Sequence, residues 1–275
     1  MNLSKDLLLK SLRAVLFGEK LYASDFAEAD WKSIFQLADE QTVSALLLDG
    51  MNLLPSECIA IPLGDKLKRI ATMQRIEQIN RLHRKVIVKI DQALKSEGIP
   101  VVFMKGQTTA LRYPNPLHRT PGDIDFVVNP KDFKKTMEVL EKIGKVDHNL
   151  VHEHHGMAWV DGVTVEPHYK VHNYQSPSTD HAMQEMFASV FPSELSSADM
   201  DGYAVPVFPP TFESVFLISH MVNHVYEEGL GLRQVIDYVM FLHSCADKID
   251  WLQHHEYVHQ MHMERAWRIF TCICV

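Results

Sequence analysis

Three acidic side chains stand at spacings that suit a divalent-cation site. Asp123 and Asp125 flank Ile124 at the start of a short apolar run that ends at Val128. Because side chains alternate across a strand, both carboxylates of this Asp-x-Asp pattern point to one face, about 7 Å apart. Two such anions repel each other unless a cation lies between them. A ligand set of oxygens without thiols suits Mg²⁺ or Mn²⁺.

A third carboxylate, Glu166, strengthens the metal interpretation, because an isolated Asp-x-Asp is more often a solvated strand end. The Asp161-Gly162 pair stands between two alternating apolar runs and predicts a tight hairpin turn. In the second strand of that hairpin Glu166 shares one face with His168, and valines occupy the other. Glu166 therefore places an acid on a strand that is otherwise half buried.

Two buried strands joined by a turn and a short helix must position the aspartates. The β-branched run Ile99–Met104 predicts a strand buried on both faces, and Gly106 allows a tight turn directly after it. Residues 107–113 have helical composition, and two prolines end that helix. Residues 123–128 form the second strand. The acids thus follow a strand-turn-helix-loop-strand unit.

This arrangement resembles the nucleotidyltransferase superfamily with the DNA polymerase β-like fold, in which a turn after a strand precedes an Asp-x-Asp strand and a later acidic strand. More narrowly, MKGQTTALRYPNPLHRTPGDIDFVV followed by VTVEPHYKVH is similar to the bacterial family of uncharacterised nucleotidyltransferases. The similarity covers about residues 30–245. The turn is Lys105-Gly106 where the wider superfamily has Gly-Ser, and it lies farther before Asp123 than in small members.

The resemblance implies an enzyme that transfers an NMP from an NTP to a hydroxyl group and releases pyrophosphate. Two Mg²⁺ or Mn²⁺ ions, about 3.5–4 Å apart, would stabilise the entering and departing oxygens. In this interpretation Asp123 and Asp125 are metal ligands. Glu166 either completes the metal site or acts as a base toward the acceptor hydroxyl.

Cations that flank the acids in sequence are the expected contacts of the nucleotide phosphates. Lys105 ends a buried strand, so ordinary surface charge explains it less well than it explains Arg119. Gly106, in the same turn as Lys105, is included in the expected nucleotide-binding set. His168 either orients the carboxylate of Glu166 or is a satisfied polar residue of the hairpin.

Two helices near the C-terminus supply further candidates. His220 and His224 are four apart on one helix face, which suits a metal, although such a pair without a third acidic ligand is more often structural. Arg233 and Asp237 are also four apart and are expected to pair within their helix. By resemblance both helices pack near the nucleotidyl site, so these residues are candidate contacts of the acceptor.

The periodicity predicts an α+β fold, with a small mixed β-sheet between two helical parts. The resemblance implies that this sheet is the nucleotidyltransferase core. We place the N-terminal helical region at residues 1–97, the catalytic core at 98–175 and the C-terminal helical region at 176–275. A long helix is expected over residues 64–97. Its predicted buried stripe consists of Ile79, Leu82, Val86, Ile90 and Leu94.

Composition limits the classes of partner and location. The 275 residues carry 27 Lys and Arg against 35 Asp and Glu, a net charge of −8, which opposes binding of DNA or RNA. The basic face of the predicted helix 64–97 is then a solvated surface or an aid in attracting one triphosphate. No window is apolar for long enough to cross a bilayer, and four irregularly spaced cysteines favour a reducing cytoplasm. The final run, ERAWRIFTCICV, is apolar to its end and predicts a further C-terminal portion.

Two other classes of protein remain open on the sequence. A sugar-nucleotide glycosyltransferase also uses Asp-x-Asp with Mn²⁺. Such an enzyme is expected to have a parallel nucleotide-binding sheet ahead of the motif, where this sequence predicts helices. A catalytically inactive nucleotide-binding or regulatory module would keep the fold without the reaction, and the intact acids argue against it. The acid triad does not identify the acceptor, which is a small molecule or a protein side chain.

Overall fold

A computed structural model describes residues 3–149, 154–172, 174, 176–227 and 229–274. These residues form eleven α-helices and one seven-stranded mixed sheet, which confirms the predicted α+β fold. Over the same residues, every helix is too short or too polar to span a bilayer.

Four helices precede the first strand. The apolar stripes of the first three pack together into one core, in which Leu7, Ile34 and Leu47 are fully enclosed. The described residues ahead of the sheet are therefore helices and loops, which argues against the glycosyltransferase alternative. The helices are α1 (Leu3–Phe17), α2 (Trp31–Glu40), α3 (Ser44–Met51) and α4 (Leu63–Ser96).

The 34-residue helix α4 buries its predicted stripe only in its C-terminal half. Val86, Ile90 and Leu94 are buried as predicted. The prediction is wrong for Leu82, which is 38% exposed, and for Ile79, which is only half-buried. In its middle turns the helix faces a polar loop instead of the sheet, so polar residues occupy the buried face there.

Asn80 is the residue that joins α4 to that loop. It is fully buried, and its Nδ2 donates to the carbonyl oxygens of Leu117, at 2.6 Å, and Arg119, at 2.8 Å. Its Oδ1 accepts a hydrogen bond of 2.6 Å from Gln107 Nε2. Since a buried amide costs free energy unless it is hydrogen-bonded, these contacts fix the loop that leads into the Asp-x-Asp strand.

The sheet is assembled from distant parts of the chain, in the order β3-β4-β5-β2-β1-β7-β6. β1 runs antiparallel to β2 and parallel to β7, and β2 runs parallel to β5. The sheet thus continues past residue 175, where the sequence predicts the core to end. The strands are β1 (Val101–Met104), β2 (Ile124–Val128), β3 (Lys145–Asp147), β4 (Met157–Val160), β5 (Val163–His168), β6 (Ser196–Met200) and β7 (Tyr203–Val207).

Helices cover both faces of the sheet, and strand alternation decides which residues face which layer. Ile124, Phe126 and Val128 pack against α4 and α6, whereas Val127 packs in the layer of α7, α8 and α10. Asp125 lies two residues before Val127 in the same strand and shares its face, so the Asp125 side chain also points toward the α8 layer. The remaining helices are α5 (Gly106–Ala110), α6 (Phe133–Ile143), α7 (Pro177–Val190), α8 (Pro210–Glu227), α9 (Leu232–Cys245), α10 (Trp251–Gln260) and α11 (Glu264–Cys274).

Candidate active site

Strand register brings the predicted acids together. In the parallel pair of β2 and β5, Asp125 lies directly beside Glu166. Oxygens of these two residues and a ring nitrogen of His168 lie within 4.8 Å of one another. Glu166 also lies within hydrogen-bonding reach of Asp123, which immediately precedes β2. All three acids therefore meet at one end of the two central strands.

The proton affinities of these acids reflect their crowding. Burial raises the pKa of Glu166 to about 8, and the charges of Asp125 and Asp123 add to this rise. The charge of Asp125, followed by burial, also raises the pKa of Asp123. Three ionised carboxylates in this space therefore need a nearby cation. This electrostatic demand, together with the oxygen-rich donor set, fits a divalent metal.

Asp125 is the acid held in its ionised form. Burial alone would raise its pKa, but the Lys105 ammonium and a hydrogen bond from His168 hold the pKa below its usual range. Lys105 Nζ lies 3.4 Å from Asp125 Oδ1, and His168 Nε2 lies 3.1 Å from the same oxygen. His168 thus contacts Asp125 more closely than Glu166, whose Oε2 is 3.8 Å from Nε2.

The Lys105-Gly106 turn places the ammonium group over the acids through an unusual backbone conformation. Lys105 has φ 58° and ψ −159°, and Gly106 has φ 50°. Positive φ is costly for a residue with a side chain, so surrounding contacts must stabilise Lys105 in this conformation. One such contact is the hydrogen bond of 2.8 Å from Thr108 Oγ1 to the Lys105 carbonyl oxygen.

A cavity adjoins the acids on the side of α8 and α9. Its interior volume is about 40 Å³, and the cleft together with the solvent at its mouth occupies about 350 Å³. Three of its lining residues are Lys or Arg and one is an acid, so its lining is cationic. The lining residues are Lys105, Arg119, Leu217, His220, Met221, Arg233, Gln234 and Asp237.

The two arginines of the cavity, Arg119 and Arg233, differ in their hydrogen-bond partners. Arg119 donates to Asp237 through two nitrogens, at 2.8 and 2.7 Å, and Tyr113 donates to the same carboxylate at 2.6 Å. Asp237 therefore pairs with Arg119. The prediction from the sequence, a pair with Arg233, is wrong. Arg233 Nη1 lies 3.4 Å from the Thr120 carbonyl oxygen, and its buried Nε has no hydrogen-bond partner among the described residues.

The predicted histidine pair lies at the edge of the same cavity. The Nε2 atoms of His220 and His224 are 3.1 Å apart, so one ring donates to the other. Burial, followed by the charge of Lys105, lowers the pKa of His220 well below its usual value. Within the described residues, neither histidine belongs to a group of three potential metal ligands. His220 contributes a neutral polar group to the cavity wall.

Sequence reasoning missed His154 and His155, which also lie beside the acids. The pairing of β4 with β5 continues past the strand end, because His155 forms a bridge opposite His168. His155 Nε2 lies 3.8 Å from Glu166 Oε2. The signal was available in principle, since the hairpin register around Asp161 sets residues 155 and 168 opposite each other.

A family model that covers most of the chain shows an enzyme of the nucleotidyltransferase class. Residues 27–275 match the family described as "Uncharacterised nucleotidyltransferase", and the chain belongs to this family. No curated protein matches the chain in sequence.

Similar solved structures include two of the antibiotic-resistance factor ANT(2'')-Ia. Its solution structure has 14% identity and a TM-score of 0.45, covering 67% of this chain and 96% of that one. Its crystal structure with adenylyl-2''-tobramycin has 12% identity and a TM-score of 0.45, covering 65% and 98%. An antigenic nucleotidyltransferase-like protein from Paracoccidioides brasiliensis has 12% identity and a TM-score of 0.40, covering 67% and 91%.

If Glu166 is a metal ligand, metal affinity is expected to rise with pH, because the ion would displace the proton of this carboxyl group. Below the Glu166 pKa of about 8, Mn²⁺ binding should strengthen by up to about tenfold per pH unit, and it should level off above that pH. Calorimetric Mn²⁺ titrations between pH 6 and 9 measure this slope. Glu166→Gln should flatten it, while Glu185→Gln, on the exposed face of α7, should not. An unchanged slope in Glu166→Gln would contradict this assignment.

Proposed function

We propose that this protein is a Mg²⁺- or Mn²⁺-dependent nucleotidyltransferase that transfers an NMP from an NTP to a hydroxyl of a small-molecule or protein acceptor, with release of pyrophosphate. The observation that carries the proposal is the meeting of Asp123, Asp125 and Glu166 in a space where their three negative charges face the one ammonium group of Lys105. The irregularly spaced cysteines support a cytoplasmic location as part of this proposal.

The three acids have separate roles in this proposal. Asp123 and Asp125 hold the divalent ions, which supply charge stabilisation for the attacking and departing oxygens when bound. Glu166 completes this ligand set or accepts the proton of the acceptor hydroxyl. His168 positions Asp125 through the hydrogen bond of 3.1 Å. Because that bond is buried, it holds the carboxylate at a fixed angle toward the site.

The cationic cavity is the proposed place for the nucleotide phosphates. Lys105 lies between the acids and the cavity. The Gly106 turn packs closely against the Asp123 backbone, because a Cβ added at Gly106 would lie 3.5 Å from the Asp123 carbonyl oxygen. Arg119 is committed to Asp237, so we assign it a positioning role instead of the expected phosphate contact. Arg233, with its unpartnered Nε, replaces it as the arginine that binds phosphate.

The acceptor is proposed to approach from the C-terminal helices. His220 lines the cavity on α8, and His224 is hydrogen-bonded to it one turn later. The neutral ring of His220 offers a hydrogen-bonding group without adding charge beside Lys105. Asp237 belongs to this wall too, but its carboxylate is occupied by Arg119 and Tyr113.

Nucleotide binding is expected to require the metal and Arg233. Calorimetry with ATP, GTP, CTP and UTP should show binding only when Mg²⁺ is present. Arg233→Met should raise the nucleotide dissociation constant about tenfold or more, as expected for loss of a hydrogen bond to a charged group. Arg268→Met is the matched control, since Arg268 lines a different groove on α11. Binding of equal strength without metal and in Asp123→Asn would favour the inactive nucleotide-binding module instead.

A further inference from the structure

Four histidine rings gather beside the acid cluster. The ring of His154 lies 4.5 Å from that of His155 and 5.4 Å from that of His168, and the rings of His155 and His168 are 5.0 Å apart. His172 adds a fourth ring, 5.3 Å from His154. This grouping has no role in the phosphate or acceptor contacts proposed above.

The backbone positions these rings. His155 is the cross-strand partner of His168, and side chains directly opposite each other in an antiparallel pair lie on the same face. The Gly156 amide donates to the Pro167 carbonyl oxygen at 2.9 Å, and the Tyr169 amide donates to that of His154 at 3.0 Å. These bonds extend the ladder of β4 and β5 and hold the rings beside Glu166.

Ring nitrogens of His154, His155 and His168 lie within 4.8 Å of one another. Three nitrogens bound to one zinc ion are about 3.4 Å apart, given zinc–nitrogen bonds of about 2.05 Å. Side-chain rotations that move each ring by about 1 Å therefore bring the three donors into ligand geometry. His154 and His155 are partly exposed, so an ion can reach them from solvent.

The hydrogen bonding of His168 is a second sign of a ligand. Its Nε2 lies 3.1 Å from Asp125 Oδ1 and donates to that carboxylate oxygen. The Nδ1 atom of His168 then carries a free lone pair, and it is buried with no hydrogen-bond partner among the described residues. An imidazole that donates one N–H to a carboxylate and offers its other nitrogen is the form in which histidine binds metals.

We propose that His154, His155 and His168 form a second metal site, for a transition-metal ion of the zinc class, beside the carboxylate site. Nitrogen donors select such ions over Mg²⁺, which prefers oxygen ligands. The Glu166 carboxylate, 3.8 Å from His155 Nε2, is a candidate for a fourth ligand. The two sites share His168 and Glu166, so an ion at one changes the ligands available to the other.

The proposal is tested by Zn²⁺ binding to the full chain, measured by equilibrium dialysis with elemental analysis and by the visible absorption of bound Co²⁺. We expect one Zn²⁺ per chain, not displaced by excess Mg²⁺. His154→Ala and His155→Ala should each weaken Zn²⁺ affinity at least about tenfold to a hundredfold and reduce the Co²⁺ absorption. His148→Ala is the matched control, because His148 lies in the same connection but is exposed and paired with Glu141.

A further variant separates the two sites. Asp123→Asn removes a carboxylate ligand without touching the histidines, so Zn²⁺ affinity should stay within about threefold of the unmodified protein. Zn²⁺ binding lost in Asp123→Asn but retained in His154→Ala and His155→Ala would show that the ion occupies only the acids, and would overturn the proposal. Circular dichroism checks that each variant is folded. The outcome does not depend on nucleotidyl transfer, so failure of this proposal leaves the proposed function untouched.

Discussion

Asp125→Asn is expected to lower the rate of nucleotidyl transfer by about 10²- to 10³-fold, the usual effect of removing one electrostatic stabiliser of a transition state. Asp125 is only 7% exposed and contacts both Lys105 and His168. Asparagine has nearly the same shape, so the substitution removes the charge and leaves the packing. Nucleotide binding should weaken as well, because Asp125 holds the metal that nucleotide binding is proposed to require.

The measurement is pyrophosphate release with each NTP against a library of small-molecule and protein hydroxyl acceptors. Asp247→Asn, an exposed residue after α9, is the matched control and should retain full activity. If Asp125→Asn releases pyrophosphate at a rate within about threefold of the unmodified protein, Asp125 has no role in the reaction. The same screen identifies the acceptor, since only the true acceptor gives metal-dependent release.

Asp237→Asn is expected to lower the free energy of unfolding by about 3–5 kcal/mol, the usual cost of removing one partner of a buried ion pair. Arg119 and Asp237 are 6% and 8% exposed, and Arg119 donates two hydrogen bonds to the carboxylate. Asparagine leaves the guanidinium buried without a counter-charge. It also weakens the contact with the Tyr113 hydroxyl. Urea unfolding monitored by circular dichroism measures the change.

Two further variants separate the ion pair from general damage. The double variant Arg119→Met with Asp237→Leu should recover much of the lost stability, because apolar residues of similar volume can replace a buried pair. Glu19→Gln, which removes the exposed partner of Arg13, should change stability little. If Asp237→Asn unfolds at the same urea concentration as the unmodified protein, the pair is not a stabilising contact.

Local chemistry explains which parts of the fold could be predicted. The Asp161-Gly162 turn has φ 50° and 82°, the left-handed conformation that this dipeptide favours, so the hairpin follows from two residues. The periodicity of α4 places Val86 and Leu94 correctly. It fails at Leu82, because the partner of that stretch is a polar loop more than thirty residues away, and no pattern within the helix encodes that partner.

The candidate site shows the same division between local and distant contacts. Alternation along a strand predicts the shared face of Asp123 and Asp125, and a β-strand pattern predicts where Glu166 points. The spacing rule for helices favours a pair of Arg233 with Asp237. The structure instead pairs Asp237 with Arg119, 118 positions earlier, because a buried contact of two hydrogen bonds is stronger than an ion pair between neighbouring turns of one helix.

The parallel pairing of β1 with β7 has a consequence for how the chain is made. β1 is an interior strand only because Phe103 pairs with Val207, so the central apolar strand has a bare edge until more than a hundred further residues exist. Bare edges of this kind attract other chains. During synthesis on the ribosome, the half-made sheet must therefore be shielded or left unfolded until residue 207 emerges. A polypeptide that stops near residue 175 should accumulate in inclusion bodies instead of dissolving.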